Sequence, residues 1–109
     1  GNHSRSFTYV SDIVENIDKL IIQTNKRNKN FNEIINIGNP KSIPLMNVIK
    51  LIEKKYNKKI KKKYFPLQIG DIVKTEANVK KEQQKYNFKF KVNIKEGIDN
   101  FFNWFSNEK

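Results

Sequence analysis

The stretch from Arg5 to Asp12 constrains the fold most, because it joins a fixed cation, a strand-forming run and a helix start. Residues 7–10 are aromatic or β-branched, which favours a strand, and the Ser11-Asp12 pair suits the start of an amphipathic helix. The sequence therefore predicts that Arg5 stands where a strand passes into a helix. A planar guanidinium is suited to gripping phosphate there. Taken alone, Arg5 is better explained as a solvated surface residue.

Apolar residues at helical spacing predict four helices. They are predicted over residues 11–24, 44–57, 79–86 and 94–106. Asn93 is expected to cap the last of them. Each apolar face should pack into a core, and that of the first helix comprises Ile13, Val14, Ile17, Leu20 and Ile21.

Three segments have the composition of short strands, and together with the helices they indicate a mixed α/β fold. Besides residues 7–10, they are residues 33–37, which are rich in isoleucine and precede a Gly-Asn-Pro turn, and residues 59–65. Apolar residues stand between lysines in the last segment, as in a charge-guarded edge strand. We expect three or four short strands in all.

The chain carries 22 Lys and Arg against 11 Asp and Glu, a net charge of +11, with much of the excess in residues 50–63. Such a block suggests an anionic partner. Lys, Asn and Ile are abundant along the whole chain, however, so we interpret the charge mainly as solvated surface. A small basic nucleic-acid-binding module that uses residues 50–63 is the alternative.

Composition also bounds the class of protein. With 109 residues, the chain makes one domain at most. The sequence has no cysteine, no signal-like apolar segment and no apolar run long enough to span a membrane, so we expect a cytoplasmic location and no membrane partner. Residue 1 is Gly and the only Met is Met46, which indicates a piece of a longer polypeptide.

The inventory of catalytic groups is nearly empty. The four glycines are too scattered for a dinucleotide-binding loop, and no tyrosine has a lysine four residues later. His3, the only histidine, is expected to be an exposed side chain and not a base or a metal ligand. We therefore assign no catalytic, cofactor-binding or metal-binding residue, and we predict that the chain alone binds no NAD and is inactive.

Four motifs nevertheless occur in the order and spacing of one enzyme family. They are Arg5 ahead of Phe7-Thr8-Tyr9, Asn36-Ile37-Gly38-Asn39, Phe65-Pro66-Leu67-Gln68-Ile69-Gly70-Asp71, and Glu96-Gly97-Ile98 with Phe102 and Trp104. In these motifs the chain resembles the C-terminal part of UDP-glucuronate 4-epimerases, which are extended short-chain dehydrogenases that act on nucleotide sugars. The resemblance covers nearly the whole chain.

The resemblance implies a particular α/β architecture, a substrate-binding subdomain plus the last strand and helix of a Rossmann domain. Residues 1–40 would pack on the missing N-terminal Rossmann domain, and residues 41–109 would form the subdomain. The segment at residues 33–37 would join the edge of the Rossmann sheet.

The resemblance also implies three substrate-binding residues. The family arginine at the Arg5 position contacts the diphosphate of the UDP-sugar, and the acid at the Asp71 position contacts the uridine ribose. Gln68 stands where UDP-galactose 4-epimerases have a second phosphate-binding arginine and where glucuronate epimerases tend to have glutamine. Ser6 replaces the usual aspartate beside the arginine. Thr75 matches a family Thr-x-Ala-Asp motif whose acid is missing here, so it is left outside the site.

In the related enzymes a hydride passes from the sugar C4 to NAD and returns through a 4-keto intermediate. By this resemblance, NAD would be bound in the full-length parent by upstream residues, and the present chain would hold the UDP-sugar. A homodimeric parent is one option. A dehydratase, a decarboxylase or another epimerase of the same superfamily stays open, because the residues that choose the reaction lie elsewhere.

Overall fold

The structure, a computed structural model, describes residues 3–27, 32–66, 68–70 and 72–108. In this part of the chain four helices accompany a two-stranded sheet, so the predicted α/β class with four helices is confirmed. The elements are β1 (Ser4–Ser6), α1 (Val10–Arg27), β2 (Ser42–Pro44), α2 (Leu45–Tyr56), α3 (Lys80–Tyr86) and α4 (Ile94–Asn107).

β1 is paired along both of its edges. On one side it runs antiparallel to β2, with Ser4 opposite Pro44. On the other side Ser4 forms a parallel bridge to Lys74. The N–H and C=O of Ser4 form hydrogen bonds with residues 73–75 and not with β2. Proline has no N–H to donate, and at Pro44, opposite Ser4, this leaves no acceptor of β1 unpaired.

The strand predicted at residues 7–10 is wrong, because β1 ends at Ser6 and α1 begins at Val10. The Tyr9 carbonyl already accepts helical hydrogen bonds from the N–H groups of Asp12, at 3.0 Å, and Ile13, at 3.3 Å. The aromatic run therefore bridges a strand and a helix, and the phosphate-suited arginine lies within the strand itself.

The strands predicted at residues 33–37 and 59–65 are also wrong. Both segments are held by side chains and not by a backbone ladder: Asn36 Nδ2 donates to the Asn78 carbonyl at 3.2 Å, and Ile60 N–H donates to the Glu53 carboxylate at 2.8 Å. β-branched residues form a strand only where a neighbouring backbone can pair with them, and the described residues supply none there.

α1 packs through polar side chains, which its periodicity did not predict. Asp12 and Asn16 are almost fully buried. The two carboxylate oxygens of Asp12 accept the N–H groups of Lys91, at 3.1 Å, and Val92, at 3.0 Å. Asn16 exchanges two hydrogen bonds with the backbone of Lys89. Polar groups buried in this way are stable because each finds a partner.

The apolar side of α1 is correspondingly exposed. Ile17 is 39% exposed and Val14 is 52% exposed, although both were predicted to be buried. In the part of the chain that the structure describes, no element covers this face. We call the four residues along it the apolar stripe, and they are Val10, Val14, Ile17 and Ile21.

The remaining packing forms two small clusters. α1 and α3 pack together near the buried residues Val79, Tyr86 and Phe88. α2 and α4 meet through an edge contact between the rings of Tyr56 and Phe102, whose centroids are 4.8 Å apart. The radius of gyration is 17.4 Å, whereas a compact domain of this length has about 13 Å. The molecule is therefore open, with large surfaces beside its clusters.

Two predicted helix ends, at Asn57 and Asn93, are confirmed, whereas α1 extends past its predicted end at residue 24 to Arg27 and α2 begins at Leu45, one residue after the predicted Pro44. Asn57 follows α2 in the left-handed conformation, with φ of 55°, which asparagine tolerates better than most residues. Asn93 caps α4, since its side chain accepts the N–H of Glu96 at 2.8 Å. Local capping chemistry is thus legible in the sequence even where the tertiary environment is not.

Candidate functional site

Arg5, the predicted diphosphate contact, lies in the middle of β1 and is half-buried. Its Nη1 donates to the carbonyl oxygens of Ser4, at 2.9 Å, and Val73, at 3.2 Å. Nη2 and Nε make no hydrogen bond to the described part of the chain. Because one nitrogen is already anchored, the other donors are held in a restricted direction, and binding an oxyanion costs less side-chain entropy.

Gln68 lies in the wall of a cavity of about 520 Å³ beside α2. His3, two residues before Arg5, lines the same cavity and is half-buried, which corrects its predicted exposed position. Arg5 is not among the described lining residues. Three consecutive lysines at residues 61–63 stand around this cavity and give it a cationic rim.

Asp71, the predicted ribose contact, lies outside the described residues, as does Leu67. The described chain ends at Gly70 before Asp71 and resumes at Ile72 after it. Gly70 has φ of 89°, a left-handed conformation that favours glycine. Val73, two positions after Asp71, is the residue whose carbonyl oxygen accepts from Arg5. The structure therefore brings the chain that follows the loop against the arginine.

Thr75, which sequence reasoning set aside, lies directly beside β1. Its Oγ1 accepts the N–H of Ser6 at 3.2 Å. Ser6, which replaces the family aspartate, uses its own hydroxyl to donate to the Asn39 carbonyl. The sequence signal for this contact was the Thr-x-Ala match itself, which we discounted because its acid is missing.

Gly38 allows the loop at residues 38–39 to lie close to the segment that follows Thr75. A Cβ atom at Gly38 would lie 2.9 Å from the Cβ of Ala77, which is too short for two carbon atoms. The glycine therefore permits residues 38–39 to pass against the segment that contains Thr75. Thr8 Oγ1 then accepts the N–H of Asn39 at 2.8 Å and closes the arrangement.

The lysine block is partly neutralised by carboxylates within the molecule. Lys62 Nζ lies 3.1 Å from the Glu53 carboxylate, and Lys55 Nζ lies 3.4 Å from Asp99. The Ile60 N–H and Lys62 together lower the pKa of Glu53 below its usual value. Some of the charge thus stabilises the contacts of α2, and does not form a uniform cationic surface.

The residues present do not fit a NAD site. Gly38 is used for its close contact with Ala77, and Gly97 lies against the ring of Tyr9, where a Cβ atom added to the glycine would lie 3.3 Å from Cδ1. Neither glycine belongs to a phosphate-binding turn of the Gly-rich type. Among the described residues, no cluster of His, Asp and Glu has the arrangement of a metal site, and no helix is long and apolar enough to cross a bilayer.

Comparison with known proteins relates the chain to one group of enzymes. No family model matches it. MJ1055 of Methanocaldococcus jannaschii is 46% identical over the whole chain, which covers 32% of that protein. UDP-glucuronate 4-epimerase 5 of Arabidopsis thaliana is 31% identical over 96% of the chain, which covers 26% of that enzyme. The chain thus spans about a third or less of the length of these curated relatives.

The fold comparison agrees. The structure of MoeE5 in complex with UDP-glucuronic acid and NAD superposes with a TM-score of 0.82 at 23% identity, over all of this chain and 35% of that one. The fold is therefore that of the C-terminal part of the extended short-chain dehydrogenases. Within that class, the chain is a homologue of the C-terminal part of the UDP-glucuronate 4-epimerases.

Proposed function

We propose that this chain holds the UDP end of a nucleotide sugar in an NAD-dependent enzyme of the UDP-glucuronate 4-epimerase type. In this proposal Arg5 binds the diphosphate, Asp71 accepts hydrogen bonds from the ribose hydroxyls, and Gln68 supplies a neutral donor at the phosphate end. The observation that carries the proposal is the anchored guanidinium of Arg5, joined through the Val73 carbonyl to the chain that follows the Gln68 loop.

The chemistry of these groups suits the two ends of UDP. Two charge-assisted hydrogen bonds from one guanidinium match a pair of phosphate oxygens, and an ionised carboxylate accepts from both hydroxyls of a diol. Binding energy gained at the nucleotide is remote from the sugar C4, and it orients that carbon for reaction. The redox chemistry itself we assign to residues outside these 109, since the chain does not fit NAD.

We further propose that residues 1–40 pack on a NAD-binding domain, whereas residues 41–109 form the substrate-binding part. The apolar stripe of α1 supports this arrangement, because contiguous exposed apolar residues usually mark an interaction surface. The large radius of gyration supports it as well, because an open shape of this kind leaves surface for another domain to cover.

Calorimetric titration of the natural gene product that carries these residues tests the nucleotide site. UDP should bind to the wild type, and Arg5→Gln should weaken UDP binding by roughly ten- to a hundredfold, the effect of losing charge-assisted hydrogen bonds. Uridine binding should change little in this variant. Asp71→Asn should weaken the binding of uridine as well as that of UDP.

Lys41→Gln is the matched control, because it removes one exposed positive charge close to the same sheet without touching the arginine. It should leave the affinity for UDP almost unchanged. Absence of UDP binding in the wild type, or equal affinities in the wild type and Arg5→Gln, would contradict the proposal. Because the measurement reads nucleotide binding, it applies equally to an epimerase, a dehydratase or a decarboxylase of this class.

A further inference from the structure

We infer that Thr75 is a positioning residue of the proposed nucleotide site, since its hydroxyl fixes the register between the strand that carries Arg5 and the loop that carries Gln68. This inference rests on the proposed function. In it, Thr75 makes no contact with the ligand but holds the strand that carries Arg5 and the loop that carries Gln68 at the distance that one UDP molecule spans.

The hydrogen bonds between β1 and residues 73–75 follow a parallel ladder for two steps. The Ser4 N–H donates to the Val73 carbonyl at 2.8 Å, and the Thr75 N–H donates to the Ser4 carbonyl at 3.0 Å. In a regular parallel pair, the next bond runs from the Ser6 N–H to the carbonyl of Thr75. Here the Ser6 N–H donates instead to Thr75 Oγ1.

The side chain of Thr75 therefore takes the place of a backbone carbonyl at the last step of this ladder. The substitution lets the chain leave the sheet after Thr75 without leaving the half-buried Ser6 N–H unpaired. The departing chain then passes Gly38, where the Ala77 side chain makes the close contact that only glycine permits.

The register set by Thr75 reaches Arg5 through one shared acceptor. The Val73 carbonyl accepts from both the Ser4 N–H and Arg5 Nη1. A shift of residues 73–75 along β1 would remove the second anchor of the guanidinium. It would also move the end of the preceding loop relative to the arginine, so a ligand that spans both would lose one of its contacts.

The inference predicts a dependence on ligand length. Thr75→Val keeps the shape of the side chain but removes its acceptor, and it should weaken UDP binding by about tenfold, the effect of one lost hydrogen bond with its geometry. Uridine, which engages only the loop end of the site, should bind within about twofold of the wild type, and pyrophosphate, which loses only the second anchor of Arg5, should lose less affinity than UDP. Thr75→Ser keeps the hydroxyl and should restore UDP binding.

The experiment uses the natural gene product, with calorimetry for UDP and ligand-observed NMR for the weaker uridine and pyrophosphate. Thr24→Val is the matched control, because the Thr24 hydroxyl donates only to carbonyls within α1. It should leave the affinities for all three ligands unchanged.

Three outcomes would overturn the inference. UDP binding to Thr75→Val that equals the wild type would show that the hydroxyl sets no register. An equal loss for UDP, uridine and pyrophosphate, or a loss that Thr75→Ser does not restore, would reduce Thr75 to a general structural role. Absence of UDP binding in the wild type would instead contradict the proposed function, so the two failures are distinguishable.

Discussion

Asp12 accepts two backbone N–H groups while only 1% of its surface is exposed. An aspartate in the first turn of a helix is usually explained by the helix dipole, and that contribution is present here as well. The two hydrogen bonds from the N–H groups of residues 91 and 92 matter more. If the carboxylate were lost, both buried N–H groups would lack an acceptor, and each unsatisfied donor would lower the free energy of unfolding. At the scale of single residues, Asp12 therefore joins α1 to a segment almost eighty positions later.

Asp12→Asn is expected to lower the free energy of unfolding by about 1–3 kcal/mol, because the amide turns an N–H toward one of the two backbone donors and leaves it unsatisfied. Urea denaturation monitored by circular dichroism measures the change. Asp18→Asn removes the same charge from an exposed position on α1 and should change stability by less than about 0.5 kcal/mol. Similar losses in the two variants would contradict this account of Asp12.

At the scale of secondary-structure elements, one carboxylate, that of Glu33, ties α3 to the segment between α1 and β2. Glu33 accepts hydrogen bonds from Lys81 Nζ at 2.9 Å, Lys85 Nζ at 3.1 Å and the Tyr86 hydroxyl at 3.0 Å. These donors, Lys81 foremost, lower the pKa of Glu33 from 4.5 to about 2. A helix of seven residues is too short to persist without such tertiary contacts.

The lowered pKa of Glu33 predicts a pH dependence with a definite sign. Its contribution to stability is complete above the ordinary pKa of 4.5 and is lost as the pH falls toward 2, because the unfolded chain takes up the proton first. Glu33→Gln should therefore flatten the dependence of stability on pH between about 5 and 2. Chemical denaturation at a series of pH values measures it.

Glu76→Gln serves as the comparison, since Glu76 forms only an exposed ion pair with Lys74 at 3.7 Å. Its stability profile should follow that of the wild type throughout the acidic range. If Glu33→Gln also follows the wild type, the carboxylate does not hold α3 as described. The pKa values of Glu53 and Asp99 are lowered too, so part of the acid dependence should survive in every variant.

At the scale of the whole molecule, the apolar stripe predicts that the same substitution acts differently in two contexts. Val14→Ser in the 109-residue chain should change the free energy of unfolding by less than about 0.5 kcal/mol, because Val14 is half exposed there. In the natural gene product it should cost about 1–2 kcal/mol if a NAD-binding domain buries the stripe. Thermal and chemical unfolding of both proteins make the comparison.

Asn25→Ser, an exposed substitution on the same helix, should be nearly neutral in both contexts. Equal effects of Val14→Ser in the chain and in the natural product would contradict the proposed packing. The comparison is informative because it separates the intrinsic stability of α1 from the contribution of whatever covers it.

The helices could be predicted from the sequence because periodicity and capping are local properties, as Asn57 and Asn93 illustrate. The strands could not, because β-branched composition does not reveal whether a neighbouring backbone is available, and residues 33–37 have none among the described residues. The buried side of α1 was also missed. Periodicity identifies its apolar face correctly but cannot say that this chain buries the opposite, polar face.

The candidate site was partly predictable for the same reason. Arg5 and Gln68 are recognised by motif, and the structure joins the arginine to the chain after the Gln68 loop through Val73. Thr75 escaped prediction because its importance depends on a contact 69 positions away, with the N–H of Ser6. Such a contact follows from the three-dimensional register and leaves only a weak trace in the local sequence.

The way Asp12 and Asn16 grip the segment at residues 89–92 has an evolutionary consequence. Both side chains bind peptide groups, so the attachment does not depend on which side chains Lys89 and Lys91 carry. Genetic drift at those two exposed positions leaves the junction intact, with proline excluded because it has no N–H to donate. Divergent homologues can thus keep this contact even where the residues at positions 89–92 differ almost completely.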